Sequence, residues 1–280
     1  MRAYIELTKP RIIELLLTTT IPAMILADQG WPGTWLVIAT LVGGTLSAGG
    51  ANTINQVVDA DIDRIMNRTK ARPLPTERIP PGRALLFGSV LGVAGFLWLW
   101  STVNLLAALL TTAGLLFYVF AYTLFLKRSS AQNIVVGGAA GAVPALVGWA
   151  AVTNTLDLAA WVLFAIIFFW TPPHFWALAI KYRDDYAAAG VPMLPSVVGT
   201  ETTLDHIVAY SLVLVGVSWL LIPTGAVGVL YTVVAVGLGS AALVGSVWLR
   251  RNPDQAIRYF VASNFYLATL FAAMAVDGLL

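Results

Sequence analysis

Three oxygen-bearing side chains, Asn55, Asp59 and Asp63, recur every four residues at the end of an apolar run. If the helix runs on through them, they share one face and rise about 6 Å per step. An amide carbonyl and two carboxylates so arranged are oxygen ligands for a hard cation such as Mg²⁺, which takes carboxylates together with substrate phosphates. Acids four apart destabilise a helix by themselves, so a cation must offset them. Besides a metal ion, the basic run Arg64, Arg68, Lys70 and Arg72 lies just downstream. Arginine grips phosphate oxygens bidentately and lysine acts as a point charge; anchoring to anionic lipid is the other use of such a run. Asp61 points away from the acidic face.

A second acidic pair, Asp184 and Asp185, closes another apolar run and is flanked by Lys181 and Arg183. Two acidic helix ends on one side of the molecule could hold two divalent ions on one diphosphate while Lys and Arg neutralise the remainder. Ionising an allylic diphosphate needs such an arrangement, because the leaving group gathers negative charge. Adjacent carboxylates cannot point the same way on a helix, so one of the pair contacts metal and the other meets a base. His174, within Thr171-Pro172-Pro173-His174, reads either as a packing residue after the prolines or as an iron ligand or base. His206 is expected in a loop, and Glu14 within the first apolar run, near the same surface as the acids.

The surrounding chain says where these groups sit. It is 59% hydrophobic and 11% charged over 280 residues, with no cysteine. An ordinary soluble domain carries about 25% charged residues. Continuously apolar runs exclude a soluble enzyme, a disordered chain and an alternating outer-membrane barrel, and the lack of cysteine excludes a disulfide scaffold or a Cys-ligated metal site. Nine membrane spans are expected, near 12–27, 35–58, 84–103, 105–126, 134–152, 158–180, 207–222, 227–249 and 256–276. The first reads as a membrane helix, with no cleavable signal or transit peptide before it.

With the N-terminus on the cytoplasmic side, all 16 Lys and Arg residues fall at the inner surface. Eleven of the 14 acids join them, the exceptions being Asp28, Asp157 and Asp277. Two inner loops are long, 59–83 and 181–206, and long loops on one face carry function. The expected protein is therefore a single all-α domain over 1–280 in a prokaryotic cell membrane, multi-pass, with its site on the cytoplasmic side. A secondary transporter would need midplane charges or repeated halves, and the chain has neither; nothing points to nucleic acid.

The Asn55-x-x-x-Asp59-x-x-x-Asp63 pattern resembles the first aspartate motif of the UbiA superfamily of intramembrane prenyltransferases. Within it, further blocks resemble the protohaem IX farnesyltransferases: Leu7-Thr8-Lys9-Pro10-Arg11, Asp59-Ala60-Asp61-Ile62-Asp63-Arg64, Arg68-Thr69 with Arg72-Pro73, and Lys127-Arg128 through Gln132-Asn133 to Gly137-Gly138. So do Gly141-Ala142-Val143-Pro144, Thr171-Pro172-Pro173-His174-Phe175-Trp176, and Asp184-Asp185-Tyr186 leading to Met193-Leu194-Pro195.

The resemblance implies a nine-helix bundle around a central cavity open to lipid. It implies Mg²⁺-dependent transfer of a farnesyl group from farnesyl diphosphate to a vinyl group of haem B, with addition of water, giving haem O and diphosphate. Metal ligands would come from Asn55, Asp59, Asp63, Asp184 and Asp185. Arg64, Arg68, Lys70, Arg72, Lys127, Arg128, Lys181 and Arg183 would neutralise diphosphate, and His174 would stand beside the haem. Haem A synthase or a terminal oxidase would be the partner downstream. A relative acting on a quinone precursor or a chlorin is the alternative. Two departures matter: Gln56 stands where the wider superfamily often has Asp, and alanines fill 187–189, leaving open whether one ion binds or two.

Overall fold

The protein is described by a computed structural model of residues 1–280; the side chains of Arg11, Ile12, Glu14, Leu15, Leu16 and Leu17 lie outside the described residues, and with them the expectation for Glu14. Among the described residues there is no strand. Among the described residues, eight helices are long and apolar enough to cross a membrane: α2 (Thr34–Val58), α3 (Pro81–Thr102), α4 (Leu105–Ser129), α5 (Asn133–Thr153), α6 (Leu158–Lys181), α7 (Thr200–Thr224), α8 (Val229–Arg251) and α9 (Pro253–Leu279). The first expected span coincides with a further helix, Pro10–Asp28, here α1.

Each helix packs on the next in sequence, and α9 returns to α1, closing a ring. Contacts of α1 with α5 and of α6 with α9 cross its interior. Short connections produce this order, because a span that ends on one surface can only start back beside its predecessor. Small residues set how closely neighbours approach, since lipid supplies no hydrophobic drive between helices. A Cβ on Gly50 of α2 would stand 2.6 Å from the Gly88 carbonyl of α3, and one on Gly148 of α5 would stand 2.6 Å from the Thr20 carbonyl of α1. The apolar core gathers Trp149, Leu163, Ile166, Trp170, Tyr231 and Phe271.

The segments that carry the candidate site residues between the spans are more ordered than loops. A short helix Arg2–Thr8 precedes α1, Ala60–Ile65 extends α2 beyond a break at Asp59, and Arg183–Ala188 and Leu194–Val197 follow α6. Leu7 packs with Leu74, Ile79 and Ala84, and Trp176 packs with Ile62, Met66 and Tyr186. The loop expected over 181–206 is shorter than that, because α7 starts at Thr200 after Gly199, whose φ of 83° ends the preceding segment. His206 is accordingly helical, with Nδ1 against the Thr202 carbonyl at 2.8 Å and its ring edge-on to Trp176. The loop role expected for it does not hold. Polar residues on the first turns of a membrane helix look like loop in the sequence.

Candidate active site

The acidic ladder forms as its spacing predicts. Asp59 leaves ideal helix geometry at φ −86° and ψ 4°, yet Asp59 N–H donates to the Asn55 carbonyl at 2.9 Å and Asp63 N–H to the Asp59 carbonyl at 2.8 Å. The four-residue spacing therefore carries across the junction. Asn55, Asp59 and Asp63 are all buried, at 3%, 0% and 1% exposure. Asp61 turns out to solvent, where Arg128 donates two 2.8 Å hydrogen bonds to it and holds its carboxyl at about 2.

Burying two carboxylates is costly unless each is paired, and each is. Lys127 Nζ donates to Asp59 Oδ2 at 2.5 Å. Arg72 Nη1 donates to both Asp63 oxygens, at 2.9 and 2.8 Å. Asn55 Nδ2 donates to Asp59 Oδ2 and to Thr123 Oγ1, leaving its Oδ1 to accept from Lys9 Nζ at 2.7 Å. One oxygen is left over. Asp59 Oδ1 is buried and has no hydrogen-bond partner, with Arg128 Nη2 3.9 Å away. An orphaned buried carboxylate oxygen calls for a ligand. With the Asn55 amide and the Asp63 carboxylate one helical turn to either side, the residue types fit a hard, oxygen-binding cation.

Two of these partners escape sequence reasoning. Thr123 reaches Asn55 from α4, where Phe117–Leu126 winds as a π-helix and Thr123 Oγ1 donates to the Tyr118 carbonyl five residues back. Such widened turns recur at functional sites, but nothing in the apolar stretch announces one. Lys9 reaches Asn55 across 46 residues of sequence. Its signal was present: a Lys-Pro pair just before the first span, in a chain with few charges. Burial pushes the Lys9 ammonium down to about 7, aided by Arg72 and Lys127 and opposed by Asp59 and Asp63. Gln56 faces away from the site, and its Nε2 donates to the Leu7 carbonyl at 2.7 Å.

The second acidic pair splits. Asp184 is exposed and meets Arg183 at 3.2 Å. Asp185 accepts from Asn67 Nδ2 at 3.1 Å, which joins the segment after α2 to the segment after α6. Arg68 strengthens the join, donating to the Tyr186 hydroxyl at 3.3 Å with its guanidinium over the Tyr182 ring. Lys70 donates to Asn67 Oδ1 at 2.8 Å. Among the described residues no three His, Asp or Glu side chains stand close enough to hold a metal, so the two acidic clusters do not merge. Arg64 faces Glu77 on the surface at 3.6 Å, apart from the buried acids, and Lys181 is exposed. His174 stacks between Trp170 and Phe260, with ring centroids 4.1 and 4.3 Å away, and its Nδ1 meets Ser263 Oγ at 2.7 Å. Because Ser263 Oγ donates to the Phe260 carbonyl, the histidine is the donor.

Behind the ladder, a cavity of about 160 Å³ opens between α1, α2, α4 and α5. Its wall on α2 runs from Thr40 to Asn52, about 18 Å of helix. Gly44, Ala51, Leu115, Tyr118, Gly141 and Pro144 make it largely apolar, and Asn52 and Tyr118 bring it to within a turn of Asn55. A head of lysines, arginines and buried carboxylates therefore caps an apolar shaft.

A sequence model of the UbiA prenyltransferase family matches residues 16–271. A Saccharopolyspora erythraea protein named protoheme IX farnesyltransferase 2 is 53% identical over 285 residues, covering 100% of this chain and 87% of its own. A protoheme IX farnesyltransferase of Mycobacterium sp. strain KMS is 53% identical over 288 residues, covering 99% and 91%. Among solved structures, a digeranylgeranylglyceryl phosphate synthase superposes with a TM-score of 0.82 at 18% identity, over 99% of this chain and 98% of its own. A UbiA homologue from Archaeoglobus fulgidus, bound to DMAPP and Mg²⁺, gives 0.71 at 14%, over 98% and 99%. At such identities the structural likeness establishes the fold, and the full-length relatives carry the closer kinship.

Proposed function

From the premise that this chain belongs to the UbiA prenyltransferase family, we propose that it is a protohaem IX farnesyltransferase. It transfers the farnesyl group of farnesyl diphosphate to a vinyl group of haem B, with addition of water, and yields haem O and diphosphate. The observation that carries this reading is the buried Asn55–Asp59–Asp63 ladder at the head of a long apolar cavity, in a chain 53% identical along its whole length to enzymes of that name. The head suits a diphosphate and the shaft suits an isoprenoid tail.

In this reading Asn55, Asp59 and Asp63 would hold Mg²⁺, and Asp185, bound to Asn67 in the separate second cluster, is not among its ligands. Asp184 is the member of the pair that meets a base. The metal supplies Lewis-acid neutralisation of the diphosphate. Lys127, Arg128, Arg72, Arg68 and Lys70 surround the same head and take up charge as the bond between farnesyl C1 and the diphosphate oxygen breaks, the electron pair leaving with oxygen. Arg183 and Lys181 widen the basic rim from the second segment, and Arg64 contributes to it from the surface. The terminal vinyl carbon attacks C1. Water then adds to the cation beside the porphyrin ring and loses a proton, giving the hydroxyl. Apolar walls keep water off C1 until the new carbon–carbon bond has formed.

His174 completes the proposed set. Its hydrogen bond to Ser263 and its place between two aromatic rings support a packing role, in which it holds α6 against α9. Haem-loaded His174→Ala is therefore expected to keep its Soret band; a shifted band would make it an iron ligand. This reading puts the site on the cytoplasmic side, which the gathering of basic residues at that end of the bundle supports.

The function is tested by extracting haem from cells with and without the gene and separating it by chromatography. Haem O, or haem A made from it, should disappear with the gene. Unchanged haem O and A would favour a relative acting on a quinone precursor or a chlorin.

A further inference from the structure

Each ligand oxygen group of the ladder is held by a cation of the chain itself: Asn55 by Lys9, Asp59 by Lys127 and Asp63 by Arg72. Lys9 differs from the other two in what the backbone does to deliver it. It joins the short helix Arg2–Thr8 to α1 at φ 53° and ψ 63°, a left-handed conformation that non-glycine residues rarely adopt. Such a residue persists only when its surroundings over-determine it, and these positions cluster at functional sites. The surroundings here are explicit. Leu7 is fully buried among Leu74, Ile79 and Ala84. Asn52 Nδ2 donates to the Thr8 carbonyl at 3.0 Å, and Gln56 Nε2 to that of Leu7. Pro10 starts the next helix at once. Two polar side chains of α2 thus clamp the end of the first helix, one turn before and one residue after Asn55, and Lys9 is turned onto the Asn55 amide.

We propose that Lys9 is an exchangeable counter-ion of the metal site. It holds the Asn55 carbonyl oxygen until a divalent cation and a diphosphate arrive together, and then moves to a diphosphate oxygen. The physical reason is charge. A divalent ion entering alone meets Lys9, Lys127 and Arg72 at the oxygens it needs. A diphosphate entering with it gives those cations somewhere to go. Metal and diphosphate must then strengthen each other's binding by the same factor. This inference rests on the proposed function and adds to it a residue, Lys9, and an obligatory coupling between the two ligands.

The test measures Mn²⁺ affinity by electron paramagnetic resonance on the full chain in detergent micelles, with and without inorganic diphosphate. In the wild type, diphosphate should tighten Mn²⁺ binding at least about tenfold. Lys9→Met should bind Mn²⁺ alone more tightly than the wild type and lose most of the coupling, by about tenfold, the worth of one charge-assisted hydrogen bond. Lys9→Arg should keep the coupling. Wild-type affinities in Lys9→Met under both conditions would overturn the proposal while leaving the metal–diphosphate site intact. A wild type whose Mn²⁺ binding ignores diphosphate would overturn the proposed function along with it. Should Lys9→Met not survive size-exclusion chromatography as a folded protein, Lys127→Met must show the same loss of coupling through Asp59, and unchanged coupling there overturns the exchange.

Discussion

A buried carboxylate at the end of a membrane helix needs a reason, and Asp59 has two. It is fully buried, and one of its oxygens has no hydrogen-bond partner in the protein. If its function is to bind the metal of a diphosphate, Asp59→Ala and Asp63→Ala should each abolish haem O formation while the protein still inserts and purifies. Chromatography of extracted haem reads the outcome, and full activity in both variants would remove the ladder from the mechanism. The ladder was legible because four-residue spacing on a helix is a local property. Lys9 and Thr123 were not, because they arrive from 46 and 68 residues away through helix packing. The sequence also suggested that Asp184 and Asp185 face the ladder. The fold instead binds Asp185 to Asn67 and leaves Asp184 at the surface, a choice that depends on where Arg183–Ala188 docks.

Helices place these groups through their close approaches. α2 carries the ladder and lies against α3 at Gly50 and Gly88, where a Cβ would stand 2.6 Å from backbone. Gly50→Ala should push the two apart and cost about 1–3 kcal/mol, seen as a lower melting temperature in detergent. Gly237→Ala, with nothing within 4 Å of its Cβ, should leave it nearly unchanged; equal shifts in the two would show that the α2–α3 contact is not tight. Cavity length is a separate property of the same elements. Gly44 lines the cavity and has open space where a side chain would go. Gly44→Leu should therefore shorten the shaft, raising the KM for farnesyl diphosphate more than that for geranyl diphosphate. Identical changes for the two would place the tail elsewhere. Helix positions were mostly readable, since long apolar runs must be helical in a bilayer. The π-helical turn and the early start of α7 were not, because both depend on hydrogen bonds that the residue types leave open.

The whole molecule separates charge from apolar surface. Its basic residues gather at one end of the bundle, and that end holds the ladder, the segments after α2 and α6 and the docked N-terminal helix. The orientation this implies can be checked directly, because the chain has no cysteine to interfere. A single cysteine at Thr155, in an exposed turn between α5 and α6, should react with an impermeant maleimide on intact cells. One at Glu77, exposed between the ladder and α3, should react only after permeabilisation. The opposite pattern would place the site on the outer face.

Composition and periodicity by themselves determined a helical membrane protein with its chemistry at one surface, and spacing alone determined the acidic ladder. Both are local consequences: a bilayer forces every apolar span to satisfy its own backbone, and a helix puts every fourth residue on one face. Which cations answer the buried acids was decided by the tertiary structure. So were which oxygen is left over, and that the ladder opens onto an apolar shaft between α1, α2, α4 and α5. Those depend on distances between segments far apart in the chain, fixed by small-residue contacts and by Asn52 and Gln56 holding the first helix in place.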